Sequence, residues 1–193
     1  MTVDSGEYAA VAGRAECLAT SEDMEAALDR MAAALTERLA DKDPLVLCVM
    51  TGAVVVTGML LPRLAFPLRL DYIHATRYQG ATSGGELVWR YRPSAAIRGE
   101  HVLVLDDILD QGVTLDQVVR ACREDGAASV LTAVLVEKRR PHVCAADVVG
   151  IQVPDRYIYG YGLDYKHYFR NARDLCAVAE EDGAESSGGL RKP

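Results

Sequence analysis

The stretch VLVLDDILDQGVTL, residues 102–115, carries the strongest structural signal in the chain. Its first four residues are apolar, as in a buried strand, and two acids, Asp106 and Asp107, follow them. A turn containing Gly112 then leads into a helical pattern, so the stretch predicts a strand, a tight loop and a helix. Ligands of open α/β sheets bind where such strands end, and we therefore expect the functional site at this loop.

Segments on both sides continue the alternation of strands and helices. Apolar residues recur every three or four positions from Ser21 to Leu39, which predicts an amphipathic helix. Together the segments predict an α/β fold, a Rossmann-like parallel sheet flanked by helices. The predicted strands are 45–50, 68–74, 87–91, 101–107, 130–136, 148–153 and 157–159, with further helices after Gly52 and at 114–125.

Length and composition predict one globular domain. Half of the 193 residues are hydrophobic (50%) and 25% are charged, which is ordinary for a globular protein. A chain of this size buries roughly 70% of its unfolded surface, so it can form a core without metals or disulfides. We expect a single domain over residues 1–179, a long mobile loop over 77–86 and a polar, disordered tail over 180–193.

The charge and cysteine content exclude several partners. Lys and Arg number 21 against 28 Asp and Glu, a net charge of −7 that disfavours nucleic acid. One cationic patch or a set of oriented backbone N–H groups can still bind a phosphorylated small molecule. The five cysteines form no CxxC or Cys/His cluster, so neither zinc nor a disulfide framework is expected, and reduced thiols favour a cytoplasmic protein.

No membrane or export segment is expected. The N-terminus carries acids early and has no apolar run, unlike a signal peptide. The uncharged segment Leu45–Leu61 falls at the lower limit for crossing a bilayer. Thr51 and Gly52 interrupt it, however, as they would between a buried strand and a helix. We therefore interpret this segment as part of the core.

The residues of the 102–115 stretch suit a sugar phosphate. Carboxylates accept hydrogen bonds from vicinal sugar hydroxyls, and Asp106 and Asp107 offer two carboxylates side by side. The N–H groups of a tight loop at a helix N-terminus bind phosphate, and Gly112 permits a close approach because it has no Cβ. Two acids followed by such a loop predict a ribose 5-phosphate site.

This stretch resembles the phosphoribosyl-pyrophosphate (PRPP) motif of the type I phosphoribosyltransferases. Asp110 narrows the resemblance, since members that act on 6-oxopurines have an aspartate at this place. The C-terminal half is similar to hypoxanthine-guanine phosphoribosyltransferases in LVEKRRP, VPDRYIYGYGLDY and YFR, and the similarity spans Leu45 to Val178. It implies the type I phosphoribosyltransferase fold, with a small hood subdomain formed by the N- and C-terminal segments and with a mobile loop.

The resemblance assigns the PRPP side of the site. Asp106 and Asp107 would hold the ribose 2′ and 3′ hydroxyls, directly or through Mg²⁺; the plain alternative is two solvated acids at a strand end. Asp110 would contact purine N7 and act as general acid/base, and a helix cap is its alternative. The cradle of the 5′-phosphate would consist of Gln111, Gly112, Val113 and Thr114.

Other matched residues would bind the base and the pyrophosphate. Lys138 would donate to the purine O6, Tyr157 would stack on the base, and the backbone of Ile158 would accept from the base edge. Asp164 would bind Mg²⁺ on the pyrophosphate side, and Arg170 would contact pyrophosphate itself. The structural alternatives are a solvated lysine, a core tyrosine and a turn-capping aspartate.

Several residues near the reacting centre depart from the family pattern. Gly52 matches the glycine of the pyrophosphate-binding loop, where the resemblance implies a non-proline cis peptide, but Thr51 replaces a lysine or bulky residue. Gln111 stands where Thr or Ser is usual, and we expect phosphate binding to survive because the backbone donors remain. Arg77 replaces a serine and would add charge toward pyrophosphate. Tyr78 would help to close the mobile loop and exclude water.

The resemblance implies a Mg²⁺-dependent glycosyltransferase of purine salvage. It would transfer the 5-phosphoribosyl group of PRPP to hypoxanthine, and also to guanine, giving IMP or GMP and pyrophosphate, in a homodimer or homotetramer. Three alternatives stay open: a regulatory protein that senses PRPP, a PRPP synthetase and a xanthine-preferring transferase. Asp110 and Lys138 argue against a sensor, which needs no group directed at a base.

Overall fold

The computed structural model describes residues 5–77, 87–180 and 182. Each predicted strand and helix is present, with ends shifted by a few residues. The helices are α1 (Ser5–Arg14), α2 (Ser21–Leu39), α3 (Val54–Leu60), α4 (Ser94–Ile97) and α5 (Val113–Glu124). The strands are β1 (Glu16–Ala19), β2 (Leu45–Met50), β3 (Arg69–Arg77), β4 (Leu87–Tyr91), β5 (His101–Leu109), β6 (Ser129–Lys138), β7 (Val148–Val153), β8 (Ile158–Tyr159) and β9 (Leu175–Ala177).

Six strands form the central sheet in the order β4-β3-β2-β5-β6-β7. Neighbours run parallel except β3 and β4, which pair antiparallel. Strand β5 lies between β2 and β6, and its residues from Val102 to Asp107 are all buried. The predicted α/β fold is confirmed, and the sheet places the end of β5 in the middle of its carboxyl edge.

Helix α2 covers the β7 side of the central sheet. Its first turn is closed by a capping box, in which the Asp23 N–H donates to Thr20 Oγ1 at 3.3 Å and the Thr20 N–H donates to Asp23 Oδ2 at 2.9 Å. Apolar residues spaced by three and four, among them Met24, Leu28 and Leu35, are buried, and the helix packs against β7. The predicted amphipathic helix is therefore confirmed.

The uncharged segment Leu45–Leu61 is a strand, a turn and a helix, as predicted. Strand β2 is buried along almost its whole length. Helix α3 buries Val56 and Leu60 and leaves Val54 exposed. Across the described ranges, none of the helices combines the length and the apolar character that crossing a bilayer requires.

Three short strands form a second sheet in the order β1-β9-β8, called the small sheet below. Both pairings are antiparallel, so the sheet joins the N-terminal and C-terminal parts of the chain. Beside it, Val11 of α1 packs in an apolar cluster with Tyr165 and Phe169. The sequence analysis does not predict α1, β1 or β9, because strands of three or four residues show no clear alternation and their partners lie far along the chain.

Two predicted segments fall largely outside the described residues. Of the loop predicted over 77–86, the structure describes the backbone of Arg77, which ends β3. Its side chain, Tyr78 and the rest of that loop lie outside the description. Of the predicted tail, residues 180 and 182 are described.

Candidate active site

Two adjacent carboxylates are buried at the carboxyl end of β5. Asp106 is 7% exposed and Asp107 is 9% exposed. The Asp107 N–H donates a hydrogen bond to Asp106 Oδ1 at 2.9 Å. The interpretation of these residues as two solvated acids is therefore wrong, because the strand carries both carboxylates out of bulk water.

Burial raises the pKa of both carboxyl groups. For Asp106, loss of hydration and the negative charge of Asp107 raise the pKa well above its ordinary value. For Asp107, burial raises the pKa, while the hydrogen bond with Asp106 and the charge of Arg170 oppose the rise. A hydroxyl donor or a cation bound between them would stabilise the ionised pair, because it would replace the lost hydration.

We expect Asp106→Asn to raise the melting temperature at pH 7. The folded protein holds a proton at Asp106 more tightly than the unfolded chain does, so this group's contribution to stability falls as the pH rises from 3.8 through the raised pKa. Each kcal/mol regained at neutral pH adds roughly 2–4 °C for a chain of this length. Differential scanning calorimetry between pH 4 and pH 7 measures the gain, which shrinks toward the acid end.

The matched control for this prediction is Asp41→Asn. Asp41 is exposed, so removing its charge is expected to leave the melting temperature nearly unchanged across the same pH range. A lower melting temperature for Asp106→Asn at pH 7 would mean that the buried charge stabilises the folded protein, which is the opposite of our expectation.

Residues 110–112 form a tight loop between β5 and α5. Gly112 precedes the helix with φ +83°, in the left-handed region that favours glycine. A Cβ there would lie 3.2 Å from both Cys144 Sγ and Leu109 Cδ1. These neighbours and the positive φ both require glycine at the turn that leads into α5. The N–H groups at the N-terminus of such a helix are an arrangement that binds phosphate. Gly112, and not Asp110, is the residue that immediately precedes α5, so the structure does not give Asp110 the position of the helix cap.

Asp110 belongs instead to a cluster of four charged side chains. Arg140 Nη1 lies 3.0 Å from Asp110 Oδ1 and 3.2 Å from Asp155 Oδ1. Lys138 Nζ lies 3.5 Å from Asp110 Oδ2 and 3.7 Å from Asp155 Oδ1. The Lys138 side chain is only 11% exposed, so the solvated-lysine interpretation is wrong. The fold thus brings together Asp110 and Lys138, two of the residues expected to contact the base.

Sequence reasoning missed Arg140 and Asp155. Both lie within the segments that carry the resemblance, LVEKRRP and VPDRY, but neither falls on a position to which the resemblance gives a role. The signal that would have found them is the position of both segments next to strand ends. Residues that follow β6 and β7, two adjacent parallel strands, meet at the same edge of the sheet.

The connection between β6 and β7 supports the loop before α5. The Val143 N–H donates to the Gln111 carbonyl at 3.0 Å, and Cys144 Sγ donates to the Gly112 carbonyl at 3.3 Å. These bonds satisfy the carbonyl groups of Gln111 and Gly112 and hold the loop against the connection. Sequence reasoning gave no indication of this support, since the two segments are about 30 residues apart.

Two glycines allow three segments to meet beside Asp107. A Cβ on Gly52 would lie 1.8 Å from Asp107 Oδ2, and a Cβ on Gly162 would lie 2.2 Å from the Gly52 carbonyl oxygen. Gly162 also has φ +102°, so it requires glycine for its backbone as well. The Met50–Thr51 peptide is cis, as the resemblance implies. The turn after β2 therefore packs directly onto the carboxylate pair.

Asp164 and Arg170 form an ion pair next to Gly162, the glycine that packs against Gly52. Arg170 Nη2 lies 2.6 Å from Asp164 Oδ1, and Arg170 Nη1 donates to the Gly162 carbonyl at 2.5 Å. The His167 N–H donates to Asp164 Oδ2 at 2.7 Å, so Asp164 does cap a turn. That turn places the charge of Arg170 where it acts on Asp107.

Tyr157 immediately precedes β8 of the small sheet. It is 37% exposed, and its ring meets the edge of the Tyr165 ring with a centroid separation of 5.7 Å. Its carbonyl accepts from the Val178 N–H at 2.8 Å. Backbone groups alternate in direction along a strand, so the carbonyl of Ile158 points away from β9, toward the outer edge of the small sheet. A half-exposed ring next to such a carbonyl suits a flat heterocycle.

A cavity of about 380 Å³ lies between the end of β5, the loop before α5, the turn after β2 and the Asp164–Arg170 ion pair. Of the residues singled out from the sequence, Thr51, Val113, Lys138, Tyr157 and Ile158 lie outside its lining, and Lys138 reaches it through Asp110. The singled-out residues that line it are Gly52, Asp106, Asp107, Asp110, Gln111, Gly112, Thr114, Asp164 and Arg170.

The donor set fits a divalent cation that keeps ligands from water and substrate. Within the described ranges, no three His, Cys, Asp or Glu side chains are grouped as a complete metal site. Mg²⁺ is commonly held by one or two carboxylates together with phosphate oxygens. The buried Asp106–Asp107 pair supplies two hard carboxylates at a cavity wall.

Comparison with known proteins agrees with this geometry. The family described as "Phosphoribosyl transferase domain" matches residues 15–165. The chain belongs to this family. As a phosphoribosyltransferase it is 36% identical over 157 residues to the hypoxanthine-guanine-xanthine phosphoribosyltransferase of Tritrichomonas foetus, covering 80% of this chain and 86% of that protein. It is 31% identical to the hypoxanthine-guanine phosphoribosyltransferase of Bacillus subtilis, covering 80% and 87%.

Solved structures confirm the phosphoribosyltransferase fold. A hypoxanthine phosphoribosyltransferase from Staphylococcus aureus superposes with a TM-score of 0.82 at 25% identity, over 93% of this chain and 98% of that one. A hypoxanthine-guanine-xanthine phosphoribosyltransferase superposes with a TM-score of 0.72 at 32% identity, over 86% and 95%. The phosphoribosyltransferases generally use a divalent metal, which agrees with the donor set described above.

Proposed function

We propose that this phosphoribosyltransferase joins a 6-oxopurine to PRPP in purine salvage. Hypoxanthine is the preferred base and guanine the second, and the products are the nucleoside 5′-monophosphate and pyrophosphate. The observation that carries the proposal is the position of Asp110, which lines the same cavity as the buried carboxylate pair and also contacts Lys138. One crevice thus offers groups for a ribose phosphate and groups for a base.

The sugar phosphate would lie along the end of β5. Asp106 and Asp107 accept hydrogen bonds from the ribose 2′ and 3′ hydroxyls, which offset their burial. The 5′-phosphate sits on the N–H groups of the loop before α5, whose turn depends on the Gly112 φ of +83°, a value that glycine adopts without strain. The cradle is formed by Gln111, Gly112, Val113 and Thr114.

The base would lie between the charge cluster and the small sheet. Asp110 takes up the N7 proton as N9 bonds to C1′ and the bond from C1′ to pyrophosphate breaks. Lys138 donates to O6 and rejects a 6-amino group, because an ammonium has no acceptor. Tyr157 stacks on the ring, and the backbone of Ile158 accepts from its edge.

Pyrophosphate would leave on the side of the turn after β2. Thr51 and Gly52 face it from that turn, and Arg170 contacts it while Asp164 holds the guanidinium in place. Mg²⁺, bound by Asp164 on this side and by Asp106 and Asp107 on the ribose side, would neutralise charge on the leaving group. Arg77 adds positive charge, and Tyr78 closes the loop that follows β3.

The same proposal covers the organisation of the chain. Residues 1–179 act as one catalytic domain whose hood is the small sheet with α1, and residues 180–193 are a tail. The protein works in the cytoplasm as a homodimer or homotetramer. Xanthine is a further candidate base, because a relative 36% identical to this chain is named for hypoxanthine, guanine and xanthine.

The test is nucleotide formation with PRPP, Mg²⁺ and one base at a time, followed by chromatography. Hypoxanthine and guanine are expected to be consumed. Adenine is expected to react at least about 10²-fold more slowly, since Lys138 would face a 6-amino group that it cannot pair with. Uracil is expected not to react, because a pyrimidine offers no N7 proton for Asp110 to take up. Addition of EDTA is expected to abolish turnover. PRPP binding in calorimetry without consumption of any base would overturn the proposal and favour a PRPP sensor.

A further inference from the structure

Two cysteines face each other across the small sheet. Cys17 of β1 and Cys176 of β9 are direct register partners in the antiparallel ladder. They are 159 positions apart in the sequence, so nothing in their local context predicts the pairing. All five cysteines are free thiols in the structure. The strands alone therefore bring two reduced thiols side by side.

The direction of the backbone N–H groups along β9 shows that the Cα atoms of Cys17 and Cys176 are close together. The Val178 N–H points toward β8, where it donates to Tyr157. Directions alternate along a strand, so the Cys176 N–H also points toward β8, and on the β1 side the Cys17–Cys176 pair is not hydrogen-bonded. Opposed residues at such positions have Cα atoms about 4.5 Å apart, within the roughly 4.4–6.8 Å that a disulfide spans.

Access to the two thiols is unequal. Cys17 is exposed and Cys176 is partly buried, whereas Cys48 and Cys122 lie in the core. Burial raises the pKa of Cys176, a hydrogen bond with Tyr159 opposes the rise, and the neighbouring Cys17 thiol adds to it. A reagent from solvent therefore meets Cys17 first, with Cys176 placed behind it as the resolving thiol.

We propose that Cys17 and Cys176 are a redox modification site that closes as a cross-strand disulfide. The Cys17 thiolate attacks one sulfur of a low-molecular-weight disulfide, which releases one thiol and leaves a mixed disulfide on Cys17. The Cys176 thiolate then attacks the Cys17 sulfur and releases the second thiol. The two protons lost by the cysteines are taken up by the two released thiolates, so the protein is oxidised by two electrons and the small disulfide is reduced.

Formation of the disulfide would link two strands of the hood covalently. The bond joins β1 to β9, and β9 borders β8, which directly follows Tyr157. It also encloses almost the whole chain in one covalent loop, and long loops restrict the unfolded state most. We expect oxidation to raise the melting temperature by about 5 °C or more. The bond itself lies within the small sheet and involves no residue of the central sheet or of the charge cluster around Asp110.

The experiment treats the full-length protein with glutathione disulfide and analyses it by intact mass and peptide mapping. The expected product has lost two hydrogen atoms, carries no glutathione and yields one crosslinked peptide pair containing Cys17 and Cys176. Dithiothreitol is expected to reverse both the mass change and the shift in melting temperature. These readouts use no substrate, so they succeed or fail independently of the proposed enzyme activity.

Two variants sharpen this test. Cys176→Ser is expected to stop at the mixed disulfide on Cys17, since the resolving thiol is gone. Cys144→Ser, at another partly buried cysteine, is expected to crosslink like the unmodified protein. A stable glutathione adduct on Cys17 of the unmodified protein, or crosslinks that join other cysteines, would overturn the proposal even if a variant failed to fold.

Discussion

Asp110→Asn is expected to lower the rate of nucleotide formation by about 10²–10⁴-fold. Asparagine keeps the size of the side chain and an oxygen that accepts from Arg140, which lies 3.0 Å from Asp110 in the structure. An amide cannot take up the N7 proton, however, so the chemical step loses its base. The KM for PRPP is expected to change little, because the Asp106–Asp107 pair and the loop before α5 are intact. Steady-state kinetics with hypoxanthine measures both.

Asp155→Asn is a closely matched control for this change. Asp110 and Asp155 have equal side-chain exposure, 42%, and each forms ion pairs with the same two cations, Lys138 and Arg140. Removing either charge therefore disturbs the ion pairs to a similar extent. Equal losses of turnover in the two variants would show that Asp110 acts through the charge balance of the cluster, and the acid/base role would have to be abandoned.

Gly52→Ala is expected to cost both PRPP binding and stability. The new Cβ would lie 1.8 Å from Asp107 Oδ2 and 2.5 Å from its Cγ. Either the Asp107 carboxylate must turn toward the cavity that it lines or the turn after β2 must shift, and both changes displace groups of the proposed PRPP site. We expect kcat/KM for PRPP to fall on the order of 10²-fold, as for an active-site displacement near 1 Å. The overpacking is expected to cost about 1–3 kcal/mol of unfolding free energy.

Gly58→Ala applies the same substitution six positions along the chain, within α3. A Cβ at this glycine meets nothing within 4 Å. Alanine is the better helix former by about 0.5–1 kcal/mol, so this variant is expected to be more stable and fully active. Urea unfolding and calorimetric titration with PRPP compare the two variants. If Gly52→Ala bound PRPP as tightly as Gly58→Ala, the close packing of the turn on Asp107 would have no part in binding.

Features that depend on residues close together in the chain could be predicted from the amino-acid sequence. The four apolar residues before Asp106 predicted a buried strand because the run is short, rich in valine and followed by a turn containing Gly112, as is typical of a strand buried on both faces. The acids, Gly112 and the helix that follows lie within a few positions of one another, so their juxtaposition required no knowledge of tertiary structure. The segment Leu45–Leu61 was interpreted correctly for the same reason, since Gly52 marks the turn between strand and helix.

Contacts between segments that are far apart in the chain could not be predicted from the sequence. Arg140 reaches both Asp110 and Asp155 because the segments after β6 and β7 meet next to the loop before α5, and that adjacency follows from strand order. The pairing of Cys17 with Cys176 likewise depends on the register of two strands too short to show a pattern.

Local order in the chain was thus sufficient for the α/β fold and for the loop before α5, because each depends on side chains a few positions apart. The resemblance to a known family supplied the proposed roles of most candidate residues. Tertiary packing was needed for everything that depends on distance across the sheet. It buries Asp106 and Asp107 and so raises their pKa values, it requires glycine at position 52, and it surrounds Asp110 with two cations. The register and order of the strands bring these side chains together, and neither can be predicted from a single segment of the chain.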